Sequence, residues 1–192
     1  VFKDCTSLTS IILPNGISSI EDETFTRCSN LTSIELPSSV VSIGSNAFLG
    51  CSSLTNIELP SSITSIGELA FFDCSSLKSL TLPNGILSIE HETFSGCKNL
   101  TSLEIPSSVT SIGYEAFSYC SNLISITIPS KVTSIDSSTF LSCSKLKEVK
   151  GLEGCMEIWN NAFSNCSSLV NINLPNSITN ISEGAFFDCS SL

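Results

Sequence analysis

Apolar and polar residues alternate over short stretches of this chain, and the same stretch returns many times. From Leu31 onward, the letters L-x-x-I-x-L place Ile34 and Leu36 on one side of an extended backbone. Ser33 and Glu35 fall on the opposite side. This alternation is typical of a β-strand with one buried face. The pattern recurs every 23 residues, which predicts stacked copies of one structural unit.

Four apolar columns keep this 23-residue step. The cysteines of the first column are Cys5, Cys28, Cys51, Cys74, Cys97, Cys120, Cys143, Cys166 and Cys189. Leucine lies three residues after each cysteine, and isoleucine and phenylalanine lie fifteen and twenty residues after the first eight. One unit cannot bury these columns alone, so we expect each column to become a ladder through a continuous core.

The rest of the unit predicts how each coil turns. In most units proline follows the strand, where its missing N–H ends ladder pairing. Ser-Ser or Asn-Gly then favours a turn, an [IV]-x-S-I segment returns along the other side, and a helical or 3₁₀ turn around the [AT]-F pair closes the coil. We predict one parallel sheet. The expected fold is a single repeat solenoid over residues 1–192, with about eight units. It is a curved rod with the parallel β-sheet on its concave face and short extended or 3₁₀ segments on its convex side.

The residues L-x-x-I-x-L-P, S-I-G-x-x-A-F and the recurring cysteine closely resemble the BspA-like leucine-rich-repeat family over almost the whole chain. This resemblance implies a surface-displayed or secreted protein of mucosal bacteria or parasitic protists. It also implies similarity to adhesins for host matrix proteins such as fibronectin and fibrinogen. The family has no catalytic residues to carry over.

The net charge and the small number of basic residues limit which kinds of partner the chain can bind. The net charge is -10 with only eight basic residues, which argues against nucleic acid and against an anionic membrane surface. No apolar run approaches the roughly 18 to 20 residues that span a bilayer, so we expect no membrane insertion within this chain. Only 14% of the residues are charged, and we expect serine and threonine hydroxyls to hydrate the outer face.

The cysteines and the single histidine are the candidates for a catalytic or metal-binding role. Nine of ten cysteines share one column, which favours free buried thiols, although bridges between neighbouring rungs remain an alternative. Cys155 replaces an aliphatic core residue. His91 lies between Glu90 and Glu92 in a variable column typical of solvent positions. We therefore predict no enzyme, no cofactor and no metal site.

The exposed strand positions are the candidate binding site. With Trp159 they form the predicted protein-binding set: Ser33, Glu35, Asn56, Glu58, Ser79, Thr81, Ser102, Glu104, Thr127 and Lys150. The first half is acidic, which favours a basic partner patch, and Lys147 and Lys150 follow later. The alternative is that short polar side chains only solvate the sheet.

One unit departs from the pattern. It carries Gly151 and Leu152 where the others have Leu or Ile and Pro, and Trp159 lies beside Met156 in the same unit. Trp159 is either an interface anchor or a cover for a gap in the altered core.

Two hypotheses for function follow. The first is a surface or secreted module that binds host or matrix protein through the concave sheet, and the alternative is a spacer without a ligand. Neither end of the sequence shows a polar capping unit, which predicts an excerpt of a longer array and some end-to-end association.

Overall fold

The computed structural model describes residues 1–192 and confirms the predicted solenoid. Parallel strands join stacked coils, and the only helix is one 3₁₀ segment, Leu152–Gly154. We number the coils 1 to 8 by their 23-residue segments, so that coil 1 begins at Cys5 and coil 8 at Cys166. Each coil has a strand side, a return side and a turn side, in chain order. No helix is long and apolar enough to cross a membrane.

The strands are short and lie on two sides of each coil. In chain order they are β1 Ser19–Ile20, β2 Ser33–Glu35, β3 Ser42–Ile43, β4 Asn56–Glu58, β5 Ser65–Ile66, β6 Ser88–Ile89, β7 Ser111–Ile112, β8 Ser125–Thr127, β9 Ser134–Ile135, β10 Glu148–Lys150, β11 Glu157–Ile158 and β12 Asn180–Ile181. On the strand side β2 pairs with β4 and β8 with β10. The return side holds the sheets β1-β3-β5, β6-β7 and β9-β11-β12. The prediction of one parallel sheet is therefore wrong, because both sides are interrupted between coils 3 and 4 and between coils 5 and 6, and the strand side has no strand in coil 8.

On the strand side, the central inward side chain differs between the regularly paired coils and coils 4 and 5. The paired strands carry a β-branched residue there: Ile34, Ile57, Ile126 and Val149. Coils 4 and 5 carry Leu80 and Leu103 instead, and between them only an isolated bridge joins Thr81 to Glu104. β-Branched side chains favour the extended backbone more strongly than leucine does, which contributes to the difference. It does not decide it alone, because coil 1 carries Ile11 with only an isolated bridge to coil 2, and coil 8 carries Ile172 without a strand.

On the return side, pairing depends on the residue that follows each strand. Three coils have glycine there: Gly44, Gly67 and Gly113. A Cβ on Gly67 would lie 2.6 Å from the backbone nitrogen of Ser45, so this approach of two coils requires glycine. Coils 4 and 6 instead carry Glu90 and Asp136, and these two coils are not paired with the coil before them. Coils 7 and 8 also carry a side chain there and remain paired, so a Cβ weakens the approach without abolishing it.

The turn side is continuous from end to end. Three backbone N–H groups of each coil donate to carbonyls of the next coil, over N···O distances of 2.6–3.1 Å. Residues eighteen and twenty-two after the cysteine have left-handed backbone, for example Leu69 with φ 53° and Tyr119 with φ 58°. The turn predicted around the [AT]-F pair is present but is not a continuous helix. One N–H in two donates to the carbonyl three residues before it, and those between them donate to the next coil.

The core beneath the turn side is a stack of phenylalanine rings flanked by thiols. Ring centroids of successive coils lie 5.3–5.6 Å apart and the rings are nearly parallel. The Cys51 thiol donates to the Phe25 carbonyl oxygen at 3.1 Å, and the Cys28 N–H donates to the same oxygen. The thiol bond recurs in the later coils. Cysteine suits the column because it is small, apolar and a weak donor.

Hydroxyl groups also join neighbouring coils. Ser62 donates to the Val40 carbonyl at 2.6 Å, and Ser108 donates to the Ile86 carbonyl at 2.7 Å. These serines therefore satisfy backbone acceptors of the preceding coil in addition to hydrating the surface.

Candidate functional site

We use the name strand face for the outward side chains of the strand side. Its members lie five and seven residues after each cysteine and are all exposed: Ser10, Ile12, Ser33, Glu35, Asn56, Glu58, Ser79, Thr81, Ser102, Glu104, Ser125, Thr127, Glu148, Lys150, Asn171 and Asn173. In coils 2 to 7 the residue between the two outward positions is buried. Every predicted binding residue except Trp159 therefore lies on one surface.

The strand face is most regular in coils 2 and 3. Parallel pairing sets Ser33 beside Asn56 and Glu35 beside Glu58. The three salt bridges of the protein include neither of these glutamates, nor Glu104. Adjacent, unneutralised carboxylates repel one another and favour a cationic partner group.

Coils 4 and 5 present the same kinds of side chain without regular strands. Ser79, Thr81, Ser102 and Glu104 are exposed, and the bridge from Thr81 to Glu104 is the only pairing among them. The middle of the strand face is thus held by fewer backbone bonds than the part before it.

The charge of the strand face changes in coils 6 and 7. Thr127 lies beside Lys150 in the β8–β10 pair, and the Lys150 Nζ lies 3.0 Å from a Glu148 carboxylate oxygen. This lysine is therefore locally neutralised. The strand face has an acidic part in coils 2 to 5 and a mixed part in coils 6 and 7.

The irregular unit, coil 7 (143–165), buries apolar side chains as the other coils do. A Cβ on Gly151 would lie 1.9 Å from the Ile128 carbonyl oxygen, so glycine lets the two backbones touch. The side chains of Leu152 and Cys155 are buried in the positions left by the altered pattern. The Trp159 side chain is 40% exposed. The structure places it off the strand face, just after β11.

Most thiols of the cysteine column are inaccessible to solvent. All ten cysteines are free, and nine are buried, which confirms the predicted buried thiols except at Cys5. Burial raises the pKa of Cys51, Cys120 and Cys166 to about 12, so these thiols stay protonated. His91 is exposed, as predicted, and no group of three or more His, Cys, Asp or Glu side chains is arranged to hold a metal ion.

The sequence analysis missed a polar groove that lies outside the strand face, at the corner between the turn side and the strand side. It runs along coils 5 to 8, where the turn side meets the next strand side, and its lining includes Lys98, Tyr119 and Asp188. Tyr119 is half exposed. The signal was present in the sequence, because tyrosine is the one aromatic residue in a column of Arg, Gly, Asp, Ser and Asn.

Comparison with known proteins supports the repeat class. The family model described as BspA type leucine rich repeat region matches six copies, over residues 1–123 and 67–192. No curated protein matches the chain.

Solved structures share the solenoid. The chain is similar to a leucine rich repeat protein of T. pallidum, with 32% identity and a TM-score of 0.78 over 84% of this chain and 78% of that one. A leucine-rich repeat protein from Bacteroides ovatus is 27% identical, with a TM-score of 0.51 over 100% of this chain and 73% of the other. The pneumococcal vaccine antigen PcpA has the same fold at 24% identity and a TM-score of 0.54, over 91% of this chain and 39% of the antigen.

Proposed function

This chain belongs to the BspA type leucine rich repeat family, and from that premise we propose that it is an adhesin-like module that binds host or extracellular-matrix protein through the strand face. One observation carries the proposal. The inward strand positions hold buried aliphatic side chains in coil after coil, whereas the exposed positions beside them change from coil to coil. A repeated core with a variable outer surface is how solenoids present a binding site.

The chemistry of the strand face points to a basic partner surface. Glu35, Glu58 and Glu104 are exposed and take no part in a salt bridge. Complementary charge raises association rates and fixes orientation more than it adds affinity, so binding should weaken as salt is raised.

Surface display or secretion is part of the same proposal and is supported by the family resemblance. The buried thiols suit an oxidising exterior, because thiols that remain protonated and inaccessible form disulfides slowly. A non-catalytic role is also part of the proposal.

Trp159 is a second candidate contact. An exposed tryptophan with Met156 nearby in sequence, also exposed, is the kind of side chain that dominates binding energy when a partner covers it. It would act separately from the strand face, since it follows a return-side strand.

The proposal is tested by surface binding of the 192-residue chain to a panel of matrix proteins that includes fibronectin and fibrinogen. The variant Glu35→Ala/Glu58→Ala/Glu104→Ala removes the acidic part of the strand face. The control Glu21→Ala/Glu68→Ala/Glu183→Ala removes the same charge from exposed positions beyond the return-side strands.

We expect saturable binding that the first variant loses and the control keeps. Equal loss in both variants would mean that net charge, and not the strand face, drives binding. Binding kept in both and lost in Trp159→Ala would move the site to the irregular unit. No binding to any panel member would favour the spacer hypothesis.

The chain also has surfaces suited to end-to-end self-association. At the first coil the core-column side chains Phe2, Ile11 and Ile17 are only partly buried, and beyond coil 8 the core-column Leu192 is 54% exposed, because no further coil of this chain covers them. We expect the average mass in light scattering to rise with concentration, and a strictly monomeric chain at high concentration would contradict this.

A further inference from the structure

Two turns on the solenoid contain asparagine followed by glycine. Asn15-Gly16 and Asn84-Gly85 follow Pro14 and Pro83, at the corner between the strand side and the return side. All four residues of the two pairs are exposed. In the same position coil 8 carries Asn176-Ser177, which supplies an internal comparison.

The serine of the ordinary turn is held by the preceding coil, and the glycine is not. Ser177 donates its hydroxyl to the Cys155 carbonyl at 2.7 Å. The same bond recurs in coils 2, 3 and 5. Gly85 has no hydroxyl, and its backbone N–H donates no hydrogen bond. The Asn84-Gly85 turn therefore has one fewer tie to its neighbour.

The hydrogen bond that closes the turn is also longer in the glycine coils. The Ile86 N–H lies 3.3 Å from the Pro83 carbonyl, and the corresponding distance in coil 1 is the same. In coils 2, 3, 5, 6 and 8 it is 2.9–3.1 Å. Neither glycine has a left-handed backbone. A Cβ on Gly16 would meet no atom within 4 Å, and one on Gly85 would lie 3.1 Å from the Ile63 carbonyl oxygen, a tight contact that needs only a small shift.

We propose that Asn84-Gly85, and with it Asn15-Gly16, is a site of spontaneous deamidation in the folded protein. The backbone nitrogen of Gly85 attacks the side-chain carbonyl carbon of Asn84 and loses its proton to water. The side-chain amide leaves as ammonia, and a five-membered succinimide remains. Water then opens either imide carbonyl and leaves aspartate or isoaspartate, so the net change is one water consumed and one ammonia released.

The reaction needs the features that this turn combines. The attacking nitrogen must be unblocked, and the following residue must not shield it with a side chain. The backbone must also rotate to bring nitrogen and carbon together, which glycine permits most readily. Asn176-Ser177 lacks the last two features and has its turn pinned by the serine hydroxyl.

Deamidation at Asn84 would place a new negative charge close to the strand face, three residues after Thr81. An isoaspartate would also lengthen the backbone by one carbon at the corner. This inference does not depend on the proposed binding function.

The experiment is ageing of the folded 192-residue chain at mildly alkaline pH, with peptide mapping by mass spectrometry and enzymatic labelling of isoaspartate. Asn84 should convert roughly tenfold or more faster than Asn176, since loss of one hydrogen bond and of the side-chain restriction together correspond to about one decade in rate. The chain should gain an acidic species in isoelectric focusing in step with this conversion.

The matched variant is Gly85→Ser, which restores the residue found in most other coils. It should slow conversion of Asn84 to the rate of Asn176 and leave Asn15 unchanged. Asn84→Gln should abolish the signal at this position without changing the fold. Conversion of Asn84 no faster than that of Asn176, or an unchanged rate in Gly85→Ser, would overturn the proposal.

Discussion

The turn side and the strand side of each coil are connected to their neighbours in different ways. On the turn side, three backbone hydrogen bonds, a stacked phenylalanine and a thiol bond join successive coils from the first to the last. On the strand and return sides, pairing stops between coils 3 and 4 and again between coils 5 and 6. Across both interruptions the strand side keeps one backbone hydrogen bond, from the Lys78 N–H to the Thr55 carbonyl and from the Ile124 N–H to the Thr101 carbonyl. The turn side therefore provides more of the bonds between coils, and strand pairing differs from coil to coil.

This difference separates residues that stabilise from residues that are available for recognition. A change in the phenylalanine or cysteine ladder disturbs two interfaces at once, because each member contacts the coil on both sides. A change on the strand face alters only solvent-exposed groups. Four predictions test this separation, in order of decreasing effect.

The largest effect is expected from alkaline pH. Burial raises the pKa of nine thiols above their ordinary value near 9, for Cys120 to about 12. The folded state therefore holds protons that the unfolded state releases. The stability that depends on these thiols is fully present below the unfolded thiol pKa and is lost as the pH rises above it. Cys51, Cys120 and Cys166 each contribute up to about 1.4 kcal/mol per pH unit between the ordinary thiol pKa and about 12.

We expect abrupt unfolding just above the ordinary thiol pKa, measured by far-UV circular dichroism against pH. Below it, only Cys5 should react with a thiol reagent in the native chain. The strand-face variant Glu35→Ala/Glu58→Ala/Glu104→Ala should unfold at the same pH as the parent. A fold that survives while all ten thiols become reactive would contradict this interpretation.

The second prediction compares two residues of coil 4. Phe94 is fully buried and stacked on both neighbours, so Phe94→Ala should lower the free energy of unfolding by about 3–5 kcal/mol. Thr81→Ala on the strand face should change it by less than about 0.5 kcal/mol. Urea denaturation measures both, and similar losses for the two variants would remove the distinction between the sides.

The third prediction concerns the return side. Gly67→Ala would put a Cβ 2.6–2.9 Å from backbone atoms of the preceding coil, and should cost about 1–3 kcal/mol in urea denaturation. Gly16→Ala is the control, because no atom lies within 4 Å of the added Cβ. A Gly67→Ala variant as stable as the parent would show that the coils can separate there without cost.

The smallest effect is expected within the strand face and has the opposite sign. Glu35 and Glu58 are paired side by side, so Glu58→Gln should stabilise the chain by about 0.2–0.5 kcal/mol at low salt. The gain should shrink at high salt because exposed charges are screened. Glu104→Gln is a suitable comparison, since Glu104 pairs with Thr81, and an equal gain there would exclude pair repulsion as the cause.

Most of the solenoid could be predicted from the repeated columns. The cysteine, leucine, isoleucine and phenylalanine positions are buried as expected in the inner coils, and the exposed strand positions lie on one surface. These features follow from periodicity alone, because a residue type that returns at one phase meets the same surroundings in every coil.

The interruptions could not be predicted by treating the units as equal. They coincide with small departures, such as leucine for isoleucine at Leu80 and a carboxylate for glycine at Glu90. The left-handed turn positions also escaped prediction, since Leu69 and Tyr119 are not residues that favour that backbone. There the hydrogen bonds to the next coil outweigh local preference.

The thiol bond from Cys51 to Phe25 has its counterpart 23 residues further on, in Cys74 and Phe48, and so on along the chain. Each such contact reaches no further than the adjoining unit. Insertion or removal of one whole 23-residue unit should therefore leave the residues at the new junction with equivalent neighbours. The number of units, and with it the length of the rod, can therefore differ while the structure of each unit stays the same.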